Sequence, residues 1–460
     1  MQIISDLHTH SKFSRATSKK LDLFEMEYWA QKKGIDLLST SDWLHPLWFK
    51  EIEAQLIETS PGIYELKDSQ SLTGKKVKFL LSVEISSIYS QNGAVRRIHS
   101  LIFAPNLKLA NLFYKELLKR GAKLMSDGRP IVGISCIDLL KIALEIDKNF
   151  LFIPAHVWTP WFGIFGSKSG FDSLQECFGD MSKYIYGVET GLSSDPIMNW
   201  QVKELENLSI LSFSDAHSGP KLGRETTVFS FKNNSLTRSP LEAQRAKRGE
   251  LVNEKFSFND IVSAIKQEAN SNMEIAFTSE FFPEEGKYHW SGHRTCNVKY
   301  SPSEVLQKGE ICPVCARPLT IGVENRVLKL SEFQIKKSDL IYQKNSDGLT
   351  FVYDKNKKRK PFISLISLLE ILLELNDNSP TKALKQYEVL TNTFATEFKI
   401  LTKEPYDRIR KFGGEMFENA IKKVRERSVF VDPGYDGVFG QVKIFYDKQE
   451  KTQDTQPVLF

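Results

Sequence analysis

A chain of 460 residues, 41% apolar and 26% charged, has room for about two or three domains and excludes a disordered or fibrous protein. Its net charge of +5 permits contact with a polyanion without requiring one. The opening MQIISDLHTH runs straight into histidines and is not expected to be a cleaved leader. The longest apolar stretch, FISLISLLEILLEL, is too short to span a bilayer and carries Glu370 and Glu374, so no membrane partner is expected.

In chain order, short apolar runs cover Met1 to Ile4, Ile35 to Leu38, Val77 to Val83, Ile98 to Phe103, Phe150 to Ile153, Tyr186 to Val188 and Ile210 to Phe213. Helix-compatible segments separate them. The spacing predicts parallel strands joined by helices: an α/β domain, a distorted (β/α) barrel, over residues 1–235. Residues 236–280 read as a polar connector with helices, residues 281–330 hold a cysteine cluster, and residues 331–447 read as mainly helical. Ser379 before Pro380 predicts a helix start, and Gly413 and Gly414 precede a second helix, EMFENAIKKVRER, with basic residues towards its end. Residues 448–460 read as a flexible tail.

Six histidines, His8, His10, His45, His99, His156 and His217, precede residue 218, accompanied by Asp6, Asp42, Glu84 and Asp215. His8 and His10 follow the first run, Asp42 and His45 the second, Glu84 the third, His156 the fifth, and Asp215 and His217 the last; only His99 falls inside its run. Groups just past strand ends converge on one face of a barrel. Residues two apart in an extended segment point the same way, so His8 and His10 can chelate one ion, and a carboxylate such as Glu84 can bridge two. This donor set suits zinc, manganese, magnesium or iron. Several such metals clamp a phosphate, acidify a bound water and stabilise a leaving oxygen, so the set reads as a hydrolytic centre with Asp215, Glu84, His8 and His10 as its catalytic core.

The order DLHTHS, STSDWLHP, SVEIS, RRIHSL, PAHVW, FSDAHS resembles the polymerase and histidinol phosphatase (PHP) superfamily, whose domains are distorted βα barrels holding up to three metals. By that resemblance His8, His10, Glu84 and Asp215 hold a first ion and Glu84, His99 and His156 a second. His217 holds a third with Asp42 or His45. Trp43 and Ala16 stand where many members carry histidine, and His45 is the candidate replacement. HSKFSRATSKKLDL, FFPEEGKYHWSGHRTC, ICPVCARPLTIGV and DPGYDGVFGQVKIF narrow the resemblance to the endonuclease Q family, across nearly the whole chain. The resemblance implies a metal-dependent DNA repair endonuclease of the cytoplasm, nucleoid-associated in a bacterium. It would nick DNA 5′ to uracil, hypoxanthine, xanthine or an abasic site, leaving a 3′-hydroxyl and a 5′-phosphate. The alternatives are a PHP phosphoesterase acting on small phosphomonoesters and a non-catalytic binder of damaged DNA.

Cys312 and Cys315 form a C-x-x-C knuckle, half of a structural zinc site. With three of the five cysteines clustered beside histidines, a reducing compartment and a metal are expected rather than disulfides. Endonuclease Q relatives usually carry a second C-x-x-C upstream; here Lys299 stands three residues after Cys296. His293, three residues before Cys296, restores four ligands, with His289 as the substitute candidate. Cys136 and Cys177 read as buried small apolar residues.

An enzyme acting on a base defect flips the base into a pocket with a stacking surface. Candidates are Phe281, Phe282, Tyr288 and Trp290 near the cysteine cluster, and Trp158 and Trp161 beside His156. The basic run KNKKRK, including Lys357, Lys358 and Arg359, is a candidate phosphate contact. The final QPVLF resembles the peptide by which bacterial repair proteins dock on the β sliding clamp, with Gln456, Leu459 and Phe460 as contacts.

Overall fold

The computed structural model describes residues 1–69, 71, 76–232 and 255–445. The amino-terminal half supplies strands β1 (Gln2–Asp6), β2 (Leu37–Ser39), β3 (Leu56–Ser60), β4 (Ile63–Leu66), β5 (Lys78–Gln91) and β6 (Ala94–Ala104). After them come β7 (Ile131–Val132), β8 (Leu151–Pro154), β9 (Gly187–Glu189), β10 (Ser209–Leu211), β11 (Thr226–Phe231) and β12 (Met273–Glu280). Helices at Leu23–Lys33, Leu107–Lys119, Cys136–Ile146 and Phe258–Ile265 start where a short polar side chain accepts a first-turn N–H: Asp22, Asn106, Ser135 and Ser257.

β1, β2 and β5 run parallel, as the spacing predicts. β5, β6 and β8 do not: β6 pairs antiparallel with both neighbours. The cause is local. Asn92 and Gly93 have φ of 53° and 74° and close a two-residue turn with Gln91 facing Ala94. Asn-Gly between apolar runs is the sequence signal for that hairpin. β5 therefore runs on to Gln91, and Glu84 sits in mid-strand rather than past its end.

The barrel expectation holds in part. One mixed sheet runs β15-β16-β17-β12-β11-β1-β2-β5-β4-β3, once β13 (Ser291–His293), β14 (Val298–Tyr300), β15 (Leu340–Lys344), β16 (Thr350–Asp354) and β17 (Phe362–Ser364) are counted in chain order. β6, β7 and β8 branch from β5, and β9 and β10 form a separate parallel pair. The pair is tied on by the Val157 N–H donating to Glu189 O (3.1 Å), and the segment after it by a bridge between Thr9 and Ala216. No continuous ladder closes the ring among the described residues. Leu7, Leu37, Leu80, Leu101, Ile153 and Phe213 still pack into one buried cluster, so side chains from successive strand ends fill the interior.

Two expectations further along are corrected. Residues 273–280 are no connector: β12 is a buried strand between β11 and β17, because Met273, Ile275 and Phe277 alternate into the core. The carboxy-terminal region has helices at Leu368–Leu375, Pro380–Phe394, Glu397–Thr402, Tyr406–Gly413 and Glu415–Arg425, but β15 to β17 extend the central sheet first. Ser379 does precede the helix at Pro380, yet its side chain makes no capping hydrogen bond. A last hairpin pairs β18 (Phe430–Asp432) with β19 (Gln441–Lys443). FISLISLLEILLEL divides between β17 and the Leu368 helix, and no described helix is long and apolar enough to cross a membrane. The connector residues 236–254, including KRGE, and the tail 448–460 lie outside the described residues.

Candidate metal centre and nucleic-acid interface

Strand ends and the middles of β5 and β6 bring two donor groups together. Ligand atoms of His8, His10, Glu84 and Asp215 lie within 4.8 Å of one another, and so do those of Glu84, His99 and His156. Glu84 belongs to both. One of its oxygens is 2.5 Å from His99 Nδ1 and 3.0 Å from His156 Nε2; the other is 3.3 Å from His10 Nε2 and 3.6 Å from His8 Nε2. His8 Nε2 is buried without a hydrogen-bond partner, 3.6 Å from both Glu84 and Asp215. An imidazole lone pair held dry and aimed between two carboxylates is the arrangement a divalent cation completes.

Electrostatics agree. Burial pushes the Glu84 carboxyl up, but the charges of His99, Arg129 and His8 outweigh it and hold the group well below the ordinary range. Asp215 is likewise lowered, against burial, by His8 and His10. Burial dominates at His99 and brings it down to about 4. Burial lowers His8 and His10 too, but there the neighbouring carboxylates, Glu189 and Asp215 foremost, outweigh it and hold both imidazoles well above the ordinary range, so a cation would bind by displacing their protons. The backbone is held in unusual conformations here: Asp42, His156 and Asp215 have φ of 40°, 30° and 47°. Gly191, at φ +60°, backs His156 so closely that a Cβ would stand 2.4 Å from the His156 Cβ.

The expected third group does not gather among the described residues. Asp42 is spent on positioning. One oxygen is 3.3 Å from His10 Nδ1, and the other accepts from Ser11 N, Ser11 Oγ and Ser14 Oγ. His45 stacks on Phe13 with ring centroids 4.3 Å apart, and Pro46 starts a helix directly behind it. His217 Nδ1 donates to Asp215 O at 2.9 Å and its ring tilts against His10. Asp6 accepts from Ser214 N, Ser214 Oγ and Gly223 N, which pins the loop carrying Asp215 and His217 to the end of β1. Burial raises its carboxyl to about 6.

Three contributors were not singled out by motif. Glu189 accepts from His8 Nδ1 at 2.8 Å and from the His156 backbone N–H at 2.7 Å, tying both donor groups to one buried carboxylate. It ends the run Tyr186 to Val188, so the rule that found the other ligands also points to it. Arg129 reaches Glu84 Oε2 at 3.1 Å, and Thr159 Oγ1 meets His156 Nδ1 at 2.9 Å. Nothing in the sequence around Arg129 marks it.

Both donor groups open on a cavity of about 740 Å³. His99, His156 and Asp215 stand in its wall, with Arg15, Arg129, Lys221, Arg224 and Lys287 around them. Glu285, also lining it, is pushed up to about 8 by burial and by Glu370, which disfavours its negative charge. Trp161 and Tyr288 line the cavity as an edge-to-face pair, centroids 5.3 Å apart.

The cysteine cluster assembles separately. Ligand atoms of His293, Cys296, Cys312 and Cys315 lie within 4.8 Å of one another. Burial opposes ionisation of Cys312, but the N–H groups of Cys315 and Val314 bring its thiol down to about 6. Lys299 turns away to Asp432 at 2.5 Å. His289 is not part of the group; it is buried beside Glu324, and burial lowers it to about 4. Cys136 and Cys177 are buried and free.

No protein-family model matches the chain. It is 25% identical over 325 residues to the uncharacterized protein MJ0043 of Methanocaldococcus jannaschii, covering 68% of this chain and 35% of that protein. It is 28% identical over 346 residues to the uncharacterized protein YqxK of Bacillus subtilis, covering 72% of this chain and 78% of that one. The matched stretch thus spans about a third of the M. jannaschii protein and most of the B. subtilis one. Among solved structures, the lesion-specific endonuclease PfuEndoQ of Pyrococcus furiosus superposes with a TM-score of 0.76 at 25% identity, over 99% of this chain and 100% of that one. Endonuclease Q in complex with a 27-mer duplex, an abasic lesion at its active site, superposes with a TM-score of 0.78 at 25% identity, over 100% of this chain and 99% of that one. Over its whole length the chain is similar to endonuclease Q.

Not every aromatic or basic residue expected to read DNA faces this cavity. Tyr288, Trp161 and Phe281 line it. Trp158 does not: it is fully buried, donates from Nε1 to Asn199 Oδ1 at 2.9 Å and packs on Phe165, which rules out a stacking platform. Phe282 is core. Trp290 donates to Glu324 at 2.8 Å and lies under Lys299. Lys358 and Arg359 border a different cavity of about 220 Å³, beside Trp200 and Glu274, and Lys357 reaches Gln343. Gln456, Leu459 and Phe460 lie outside the described residues.

Proposed function

We propose that this chain is a metal-dependent DNA repair endonuclease that hydrolyses the phosphodiester 5′ to a deaminated base or an abasic site and leaves a 3′-hydroxyl and a 5′-phosphate. One observation carries the reading. Two buried donor groups sharing Glu84 open on a basic, aromatic-walled cavity, in a chain alike over its whole length to an endonuclease Q solved with an abasic duplex. Divalent cations held by His8, His10, Glu84 and Asp215, and by Glu84, His99 and His156, would supply Lewis-acid stabilisation of phosphoryl oxygens and acidification of water.

The chain's own residues do the rest. Glu189 fixes the His8 tautomer that leaves Nε2 free to bind. Arg129, Arg224 and Lys287 offer N–H groups to backbone phosphate oxygens. The Trp161–Tyr288 pair gives an extruded nucleotide a wall to stack on. Phe162 packs on His99 at 4.3 Å and shields that ligand from water. His293, Cys296, Cys312 and Cys315 would hold a structural zinc, and the terminal QPVLF would tether the enzyme to a bacterial clamp.

The test is a gel assay. Purified protein with Mg²⁺, Mn²⁺ or Zn²⁺ is given duplexes carrying uracil, hypoxanthine, an abasic site or no lesion, alongside a generic phosphomonoester. Lesion-dependent nicking that Asp215→Asn abolishes, with DNA binding retained, supports the reading. Hydrolysis of the phosphomonoester alone, or nicking unchanged in Asp215→Asn, overturns it.

A further inference from the structure

Phe439 is 67% exposed, the most exposed aromatic side chain among the described residues. A single exposed apolar residue ordinarily means little. This one stands at the mouth of the cavity that holds His99, His156 and Asp215, on a segment built to hold it still.

The segment is the turn between β18 and β19. Asp436 and Gly437 have φ of 43° and 86°, the paired left-handed conformation of a tight hairpin turn, and Asp-Gly is the dipeptide that adopts it most readily. Tyr435 and Val438 exchange both backbone hydrogen bonds, at 3.0 and 2.8 Å. The turn is then fastened to the cavity wall. Gly434 N–H donates to Glu284 O at 2.8 Å, Gly437 N–H to Lys287 O at 2.9 Å and Gly440 N–H to Glu285 O at 3.1 Å. Trp290 N–H returns a bond to Gly434 O at 2.9 Å, and Arg294 N–H donates to Asp436 Oδ2 at 2.7 Å. With its backbone anchored on both sides, Phe439 projects its ring outward, with Lys287 Nζ 4.4 Å from the ring centroid.

Holding a largely exposed ring rigidly in water has an unfavourable hydration term and, beyond the contact with Lys287, little packing return in the free protein. The return has to come from a partner that offers an apolar slot above the metal ligands. Lys287 places a cation beside the ring, as suits a partner whose apolar interior is flanked by anionic groups. A base stack lined by phosphates is such a partner. Enzymes that extrude a nucleotide commonly insert an apolar side chain between the base steps.

We infer that Phe439 is a wedge: it enters the helical stack at the lesion and occupies the space left when the nucleotide turns into the cavity beside Trp161 and Tyr288. This rests on the endonuclease reading above. The wedge matters most where a stable pair must be opened and least where the lesion is already unpaired, which separates it from a mere phosphate contact.

The experiment measures single-turnover nicking by the full-length protein of deoxyuridine in a U·A pair, in a U·G mismatch and inside an unpaired bubble. Phe439→Ala should lose roughly tenfold or more on U·A, less on U·G, and little on the bubble. Phe439→Trp should restore the U·A rate, and Phe439→Leu should lie between. Binding of Asp215→Asn protein to a duplex with 2-aminopurine facing the deoxyuridine should raise fluorescence, and Phe439→Ala in that background should not. Because the side chain is exposed, thermal midpoints should be unchanged, which keeps misfolding out of the comparison. An equal loss on paired and bubble substrates, or no loss on either, overturns the wedge while leaving the nuclease intact. A wild-type protein that nicks no lesion strand overturns both.

Discussion

Glu189→Gln is the sharpest probe of how the metal centre is held. Glu189 is fully buried; one oxygen faces His8 Nδ1 at 2.8 Å and the other faces the His156 backbone N–H at 2.7 Å. Both partners are donors when His8 keeps its Nε2 lone pair for the cation. Glutamine has the same shape but only one acceptor oxygen. If that oxygen stays on His156, the amide N–H₂ faces His8, and the imidazole must carry its proton on Nε2, where the ligand lone pair is needed. If it turns to His8, the amide opposes a buried backbone N–H, a loss of about 1–3 kcal/mol. Either way the metal-loaded state loses about 1.4–2.8 kcal/mol, a 10- to 100-fold fall in affinity, in line with losses for groups behind metal ligands. The assay is nicking rate against Mn²⁺ concentration, with calorimetric titration of the metal-free protein as a readout independent of activity. The half-saturating concentration should move up 10- to 100-fold, with the rate at saturation much less affected. Unchanged metal dependence in a folded Glu189→Gln protein would refute this account of how Glu189 works.

Other expectations concern the remaining clusters. His293→Ala should lower bound zinc in elemental analysis whereas His289→Ala should not, since only His293 stands with the three cysteines; equal zinc in wild type and His293→Ala would count against the site. His289 is held near 4 by burial, against about 6.5 when unfolded, so the folded state favours its neutral form. Its contribution is fully present above about pH 6.5 and is lost as pH falls towards 4, amounting to about 2 kcal/mol between neutrality and pH 5. His289→Gln should therefore flatten the fall of the urea midpoint over that interval, and parallel curves for the two proteins would disprove it. A fluorescent peptide of residues 447–460 should bind a bacterial β clamp with roughly micromolar affinity, lost when Leu459 and Phe460 are both alanine; no binding by either the peptide or the full-length protein retires that docking.

Local rules carried a reader of this chain far. A ligand placed just past an apolar run is a local statement, and it located His8, His10, His156 and Asp215 because strand ends of such a sheet converge whatever the loops do. The hairpin of β5 and β6 was also legible, in Asn92-Gly93, though a uniform expectation of helical crossovers passes over it. Other features were decided only by tertiary structure. Asp42 and His45 sit in a family motif, yet Asp42 is consumed by Ser11, Ser14 and His10, contacts set by how two strand ends abut. Trp158 lies two residues from a ligand, but its indole points into the core towards Asn199, and sequence distance carries no direction. Spacing favours His293 and leaves His289 as a substitute; the β13–β14 pairing brings His293, and not His289, to the thiols. Arg129 and Phe439 reach the cavity from segments far apart in the chain, brought together by packing between elements that no periodicity encodes. Residue type and spacing therefore determined the chemistry this protein can perform, while burial and side-chain direction, which depend on the whole fold, decided which of the candidate residues are placed to perform it.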